Sequence, residues 1–151
     1  QASTSGTAIN FTSIPSWVKR VTVMLSGVSN TSGSSNIVLQ LGAGSYQATG
    51  YASAAGYTYS TGGSISAGVT TSLILTGNNG PTLAWQGAIV CTLVGSNTWV
   101  SQGVITSRVS DAVVCASSGT VTLSGTLDRL RVTTNDGTDT FDAGTINILY
   151  E

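Results

Sequence analysis

The stretch Val18-Lys19-Arg20-Val21-Thr22-Val23-Met24-Leu25-Ser26 decides the fold class of this 151-residue chain. On an extended backbone Val21, Val23 and Leu25 fall on one face and Arg20, Thr22 and Met24 on the other. That period of two marks a strand with one face in a core and the other wet or against a partner. Working outward, helical periodicity is absent, and β-branched runs recur between Gly, Asn and Ser punctuation. Residues 7–12, 18–26, 36–41, 45–51, 69–76, 84–94, 98–105, 108–116, 120–126, 127–133 and 140–150 read as strands. Short strands at this spacing predict an all-β antiparallel sandwich.

Three segments refine that expectation. Pro15, within Ser13-Ile14-Pro15-Ser16-Trp17, removes a donor and pushes Ile14 toward extended geometry, which fits a crossing between sheets. Residues 52–67, rich in Ala, Gly, Ser and Tyr, lack clear alternation and read as an exposed functional loop. Asn135-Asp136-Gly137-Thr138 carries the Asp-Gly signal of a two-residue hairpin turn. A hairpin there places Arg131 opposite Asp142 and Val132 opposite Phe141, and needs a bulge near Ala143-Gly144 to return Ile146 and Ile148 to the apolar face. No repeat and no linker divides the chain, so residues 1–151 read as one domain.

Composition removes whole classes of function. Only 7% of residues are charged and the net charge is −1, while 22 Ser, 23 Thr and 19 Gly supply the polarity. With 40% hydrophobic residues the chain is too apolar for disorder. Five Lys and Arg cannot build a phosphate-neutralising footprint, so no nucleic-acid partner is expected. No apolar run reaches the roughly 18 residues of a spanning helix. The chain opens on Gln1 and its one Met is Met24, which reads as a piece of something longer.

No histidine is present, so a Ser-His-Asp triad and a His-assisted cysteine nucleophile are excluded within the chain. Cys91 and Cys115 sit in apolar strand contexts and read as buried free thiols, with a disulfide as the alternative. Neither a metal nor a cofactor is expected. Asp136, Asp139 and Asp142 read as turn and strand residues, with calcium binding at Asp136 and Asp139, or glycoside hydrolysis, as the sharper alternatives. Arg129 and Arg131 share one side of a strand, as groups ion-paired with nearby aspartates within the subunit or across a subunit boundary, or as a clamp for an anionic ligand. Tyr46, Tyr51, Tyr57 and Tyr59 fall among Gly, Ser and Thr, the composition of recognition surfaces and of sugar-stacking sites, with packing in the core or at a subunit interface as the other reading of each. Trp17, Trp85 and Trp99 read as packing residues.

INFTSIPSWVKRVTVMLSGVS at 9–29 resembles a segment of the C-terminal domains of tailed-bacteriophage tail needles and tail fibres. LSGTLDRLRVTT at 123–134 and GTDTFDAGTINILYE at 137–151 resemble the same family's C-terminus, and NTWV at 97–100 is a shorter match. The resemblance implies a jelly-roll, tumour-necrosis-factor-like knob that forms a homotrimer at the tip of an elongated virion protein. It implies a non-enzymatic role in the virion tail, assembled in the bacterial cytoplasm. The partner would be a host cell-surface receptor, with saccharide among the fitting chemistries, contacted during attachment or genome ejection. On this reading Tyr46, Tyr51, Tyr57 and Tyr59 are receptor-binding candidates, and Arg129, Arg131 and Asp142 are trimer-interface or anionic-ligand candidates. A jelly-roll carbohydrate-binding module is the alternative, and a depolymerising tailspike fragment a third possibility.

Overall fold

A computed structural model describes residues 1–31, 35–59, 62–76, 82–108 and 112–151. Every element in it is a strand: β1 (Ala8–Thr12), β2 (Arg20–Asn30), β3 (Ile37–Ala43), β4 (Ser45–Tyr46), β5 (Ala52–Tyr59), β6 (Gly62–Val69), β7 (Leu73–Ile74), β8 (Trp85–Gly95), β9 (Thr98–Arg108), β10 (Ala112–Thr122), β11 (Arg129–Thr134) and β12 (Phe141–Tyr150). They form two antiparallel sheets. The smaller runs β1-β11-β3-β4, with β7 also on β3, and the larger runs β12-β2-β8-β9-β10-β5-β6.

The alternation of β2 appears as expected, with Val21, Val23 and Leu25 buried, Arg20 exposed, and Thr22 and Met24 partly covered. Ile9, Phe11, Leu39, Leu41, Leu130 and Val132 from the smaller sheet meet Val21, Val23, Ile89, Ile105, Val113 and Ile146 from the larger in one buried cluster. Trp85 and Trp99 lie in that core, but Trp17 does not: its side chain is 59% exposed, and the ring stands edge-on to Tyr150 with centroids 5.8 Å apart. Trp17 sits at the corner that Pro15 creates, where β1 of one sheet gives way to β2 of the other, so it reaches the rim of the sandwich.

The terminal hairpin does not form. A turn closes at the Asp-Gly signal, with Gly137 N–H donating to the Thr134 carbonyl at 3.1 Å, yet β11 lies in the smaller sheet and β12 pairs with β2 in the larger. Both edges of β11 are taken, by β1 through Ala8↔Thr133 and by β3 through Thr134↔Ile37, so β12 has no edge to join. The chain instead crosses the roughly 10 Å between packed sheets. Arg131 therefore does not face Asp142, whose carboxylate accepts a hydrogen bond from the Ser29 hydroxyl. The irregularity near Ala143-Gly144 is real but lies against β2: the register shifts between Phe141 and Ala143 and again between Ala143 and Thr145. Gly144 adopts φ 93° there, and a Cβ on it would strike the Gly27 carbonyl.

Residues 52–67 are not a loop. β5 and β6 extend the larger sheet, Thr120↔Ala52 and Cys115↔Tyr57 tying β5 to β10. Buried Ser53 and Ala55 alternate with exposed Ala52 and Ala54, so small residues occupy both faces and the contrast that marks a half-buried strand is missing from the sequence. Residues 60 and 61 lie outside the described residues. The two strands expected at 108–116 and 120–126 are one, β10, in which Ser117 and Ser118 pair with Gly103 and Gln102 without a break; positions 109–111 lie outside the described residues. The strand expected at 45–51 is only two residues long, and that at 69–76 divides between the end of β6 and β7.

Candidate binding site

The outer face of the smaller sheet gathers the polar side chains into one plate. Alternation turns Leu130 and Val132 of β11 inward, so Arg129, Arg131 and Thr133 face out. Register then places Arg131 between Asn10 of β1 and Gln40 of β3, and Arg129 between Thr12 and Gly42. Gly42 in turn pairs with Tyr46 of β4. A Cβ at Gly42 would collide with the Ser45 carbonyl and lie 2.9 Å from Arg129 Cγ, so this position must be glycine for the turn to fold back and carry Tyr46 over the sheet.

Tyr46 spans the plate. Its hydroxyl donates to Asn10 Oδ1 at 2.9 Å, and its ring centroid lies 4.5 Å from the Arg131 guanidinium carbon and 6.0 Å from that of Arg129. Partial burial raises the Tyr46 phenol above its ordinary value, with the two guanidinium groups pulling the other way. Arg131 Nε donates to Gln40 Oε1 at 2.8 Å, while Gln40 Nε2 donates to the Thr71 carbonyl at 2.9 Å, so both ends of the amide are committed.

The two arginines differ in their company. Arg129 makes two hydrogen bonds to the Asp128 carboxylate, at 2.7 and 3.1 Å, and Asp128 also accepts from Gly44 N–H at 3.1 Å. The Arg129 hydrogen bond holds the Asp128 carboxyl below the usual carboxylate range, and the pair fastens the β3–β4 turn to β11. Among the described residues Arg131 has no carboxylate partner. It lines a polar depression of about 280 Å³ with Gln40, Thr71, Thr133, Asn135 and Asp136. Slight burial pushes the Asp136 carboxyl up, but donation from Thr138 N–H and Oγ1 and from Thr134 Oγ1 outweighs it and holds the group far below its ordinary value. That carboxylate is therefore already committed to the turn.

Of the expected site residues, Tyr46, Arg129 and Arg131 come together and Asp142 stays on the other sheet. Tyr51 is 3% exposed; its hydroxyl accepts from Leu41 N–H at 3.0 Å and donates to the Gln47 carbonyl at 3.2 Å, and burial pushes the phenol up to about 12. It is a core residue rather than a surface contact. Tyr57 and Tyr59 form an edge-to-face pair, centroids 5.3 Å apart, half-buried against the core at one end of β5. Cys91 and Cys115 are buried and not joined in a disulfide, and burial pushes the Cys91 thiol up to about 12. Asn10, Gln40 and Asp128 were not assigned to a binding site from the sequence; Gln40 stands out there as the single polar residue in the apolar run 37–41.

Chemically, the plate offers guanidinium and amide donors beside an aromatic ring, which suits a planar anion or a ligand rich in hydroxyls. Among the described residues no three of His, Cys, Asp and Glu come together as metal ligands. Among the described residues no helix is long and apolar enough to cross a membrane. No protein-family model, curated protein or solved structure matches the chain.

Proposed function

We propose that the chain is the distal knob of a tailed-bacteriophage tail needle or tail fibre, a jelly-roll subunit of a homotrimer that contacts the host cell surface during attachment or genome ejection. Arg131 carries this reading: its guanidinium is held by Gln40 and Tyr46 on an outer sheet face, with no carboxylate partner among the described residues. A positioned, unneutralised cation beside an aromatic ring and amides suits a hydroxyl-rich ligand bearing negative charge, the chemistry of bacterial surface saccharides.

The segments that resemble the phage family support the reading by their placement. They contribute β1 and β11, neighbours in one sheet, and β2 and β12, neighbours in the other. Buried thiols not joined in a disulfide suit assembly in a reducing cytoplasm and a virion location thereafter. A knob that binds and does not cleave needs no nucleophile, and the carboxylates of Asp128 and Asp136 are taken up by internal donors.

Binding of fluorescently labelled protein to a panel of bacterial cells and to their isolated surface polysaccharide tests the proposal. The wild type binds a subset, and Arg131→Gln with Tyr46→Ala weakens that binding at least tenfold while the fold survives. Equal binding by the double variant removes the plate from the mechanism. A monomer that binds isolated glycan replaces the knob with a carbohydrate-binding module.

A further inference from the structure

The middle of the larger sheet turns a face to solvent that carries no charge. Its rows run across four strands, and one of them aligns Ala88 of β8, Val104 of β9, Ala116 of β10 and Gly56 of β5. The rows on either side repeat the theme with Val90, Val100 and Val114 among Thr, Ser, Ala and Gln. Val104 is 54% exposed, Val114 47% and Val100 39%. No Asp, Glu, Lys or Arg occurs in these rows; Arg108 lies one row beyond, at the end of β9. On a monomer such a broad flat sheet face is ordinarily broken up by charge.

We infer that this face is where copies of the chain meet in the assembled knob, so the inference rests on the homotrimer reading above. Its relief favours a second copy: exposed valines stand as ridges, and shallow depressions lined by Ala54, Ala116 and Ser118, and by Ala88 and Gly103, lie between them. Ridges and hollows lie in different parts of one uncharged surface, so in the heterologous contact of a three-fold assembly the ridges of one copy enter the hollows of the next without desolvating an ion. No exposed aromatic ring occurs in these rows to stack a sugar, and no cation to hold a phosphate. Strand spacing and rise give the four-strand field roughly 500 Å² in plan. Met24 and Thr22 of β2 and Leu149 of β12 continue it, with the Arg20–Glu151 ion pair at the corner beside Thr92, and bring the field toward the ~800 Å² per partner of a stable interface.

Sedimentation velocity at micromolar concentration, with circular dichroism to confirm folding, tests the assignment. Val104→Glu and Val114→Glu place a charge on surface side chains that do not support the core, and each raises the dissociation constant of the assembly on the order of a hundredfold. Val104→Lys repeats the result with the opposite sign of charge. Val94→Glu, at a site 62% exposed near the end of β8, leaves the mass unchanged. If the wild type assembles and the Val104 and Val114 variants keep its mass, the face is not the interface and the homotrimer stands. A wild type that stays at 15.2 kDa throughout removes the homotrimer itself and the face with it.

Discussion

Replacing Tyr51 with Phe tests whether the plate is braced from the core. The ring stays, but the hydroxyl that accepts Leu41 N–H at 3.0 Å and donates to the Gln47 carbonyl at 3.2 Å is gone. Leu41 is fully buried, so its N–H is left without a partner where water does not reach it, whereas the nearby Gln47 carbonyl regains solvent more easily. Orphaning one buried donor costs about 1–3 kcal/mol, and about 2 kcal/mol is the expected loss here. With a urea slope near 2 kcal/mol/M that shifts the midpoint down by about 1 M, and the melting temperature falls by roughly 4–8 °C. Both are read at one protein concentration, because assembly adds a concentration term. The Leu41 amide also exchanges faster, and the β3–β4 turn that carries Tyr46 loosens with it. Tyr57→Phe, whose ring packs against Tyr59 at the sandwich end, serves as the control and costs little. A loss below about 0.5 kcal/mol for Tyr51→Phe, or one equal to the control, refutes the bracing role.

Other outcomes follow from the same geometry. Gly42→Ala forces a methyl against the Ser45 carbonyl and Arg129 Cγ, so it destabilises by roughly 1–3 kcal/mol in chemical denaturation and weakens ligand binding by displacing Tyr46. The Cys91 thiol sits at about 12 in the fold against an ordinary 9.0, and the Tyr51 phenol at about 12 against 10.0. Both are raised, so the unfolded chain gives up these protons first: stability is whole below about pH 9 and falls as pH climbs toward 12. Urea midpoints across that range show the slope, and Cys91→Ala makes it shallower. Both thiols, being buried, resist a thiol-reactive dye in the native protein and react once it is unfolded.

What could be read in the sequence was local. Val21, Val23 and Leu25 announced their strand because large apolar and polar residues alternate there, and Pro15 announced a crossing because its ring dictates backbone geometry whatever surrounds it. The break near Gly144 was readable because Ile146 had to reach the core. Choice of partner strand was not readable: the Asp-Gly turn closes as its residues dictate, but whether β12 joins β11 depends on β1 and β3 already occupying both edges. β5 was hidden because Ala, Ser and Gly on both faces erase the contrast that periodicity measures. The plate was half visible. Arg129 and Arg131 share a face by simple alternation, but Asn10 and Gln40 arrive beside Arg131 from distant parts of the chain through sheet register alone.

The proposed grip of Arg131 and its Tyr46 shelf on a cell-surface saccharide is open to a binding titration. Isolated bacterial surface polysaccharide that retains the wild type is titrated against the wild type, Arg131→Gln and Arg131→Lys at matched salt. Arg131→Gln binds at least tenfold more weakly than the wild type, and Arg131→Lys, which keeps the charge without the planar fork, shows an intermediate loss. Three identical binding curves contradict the proposed grip.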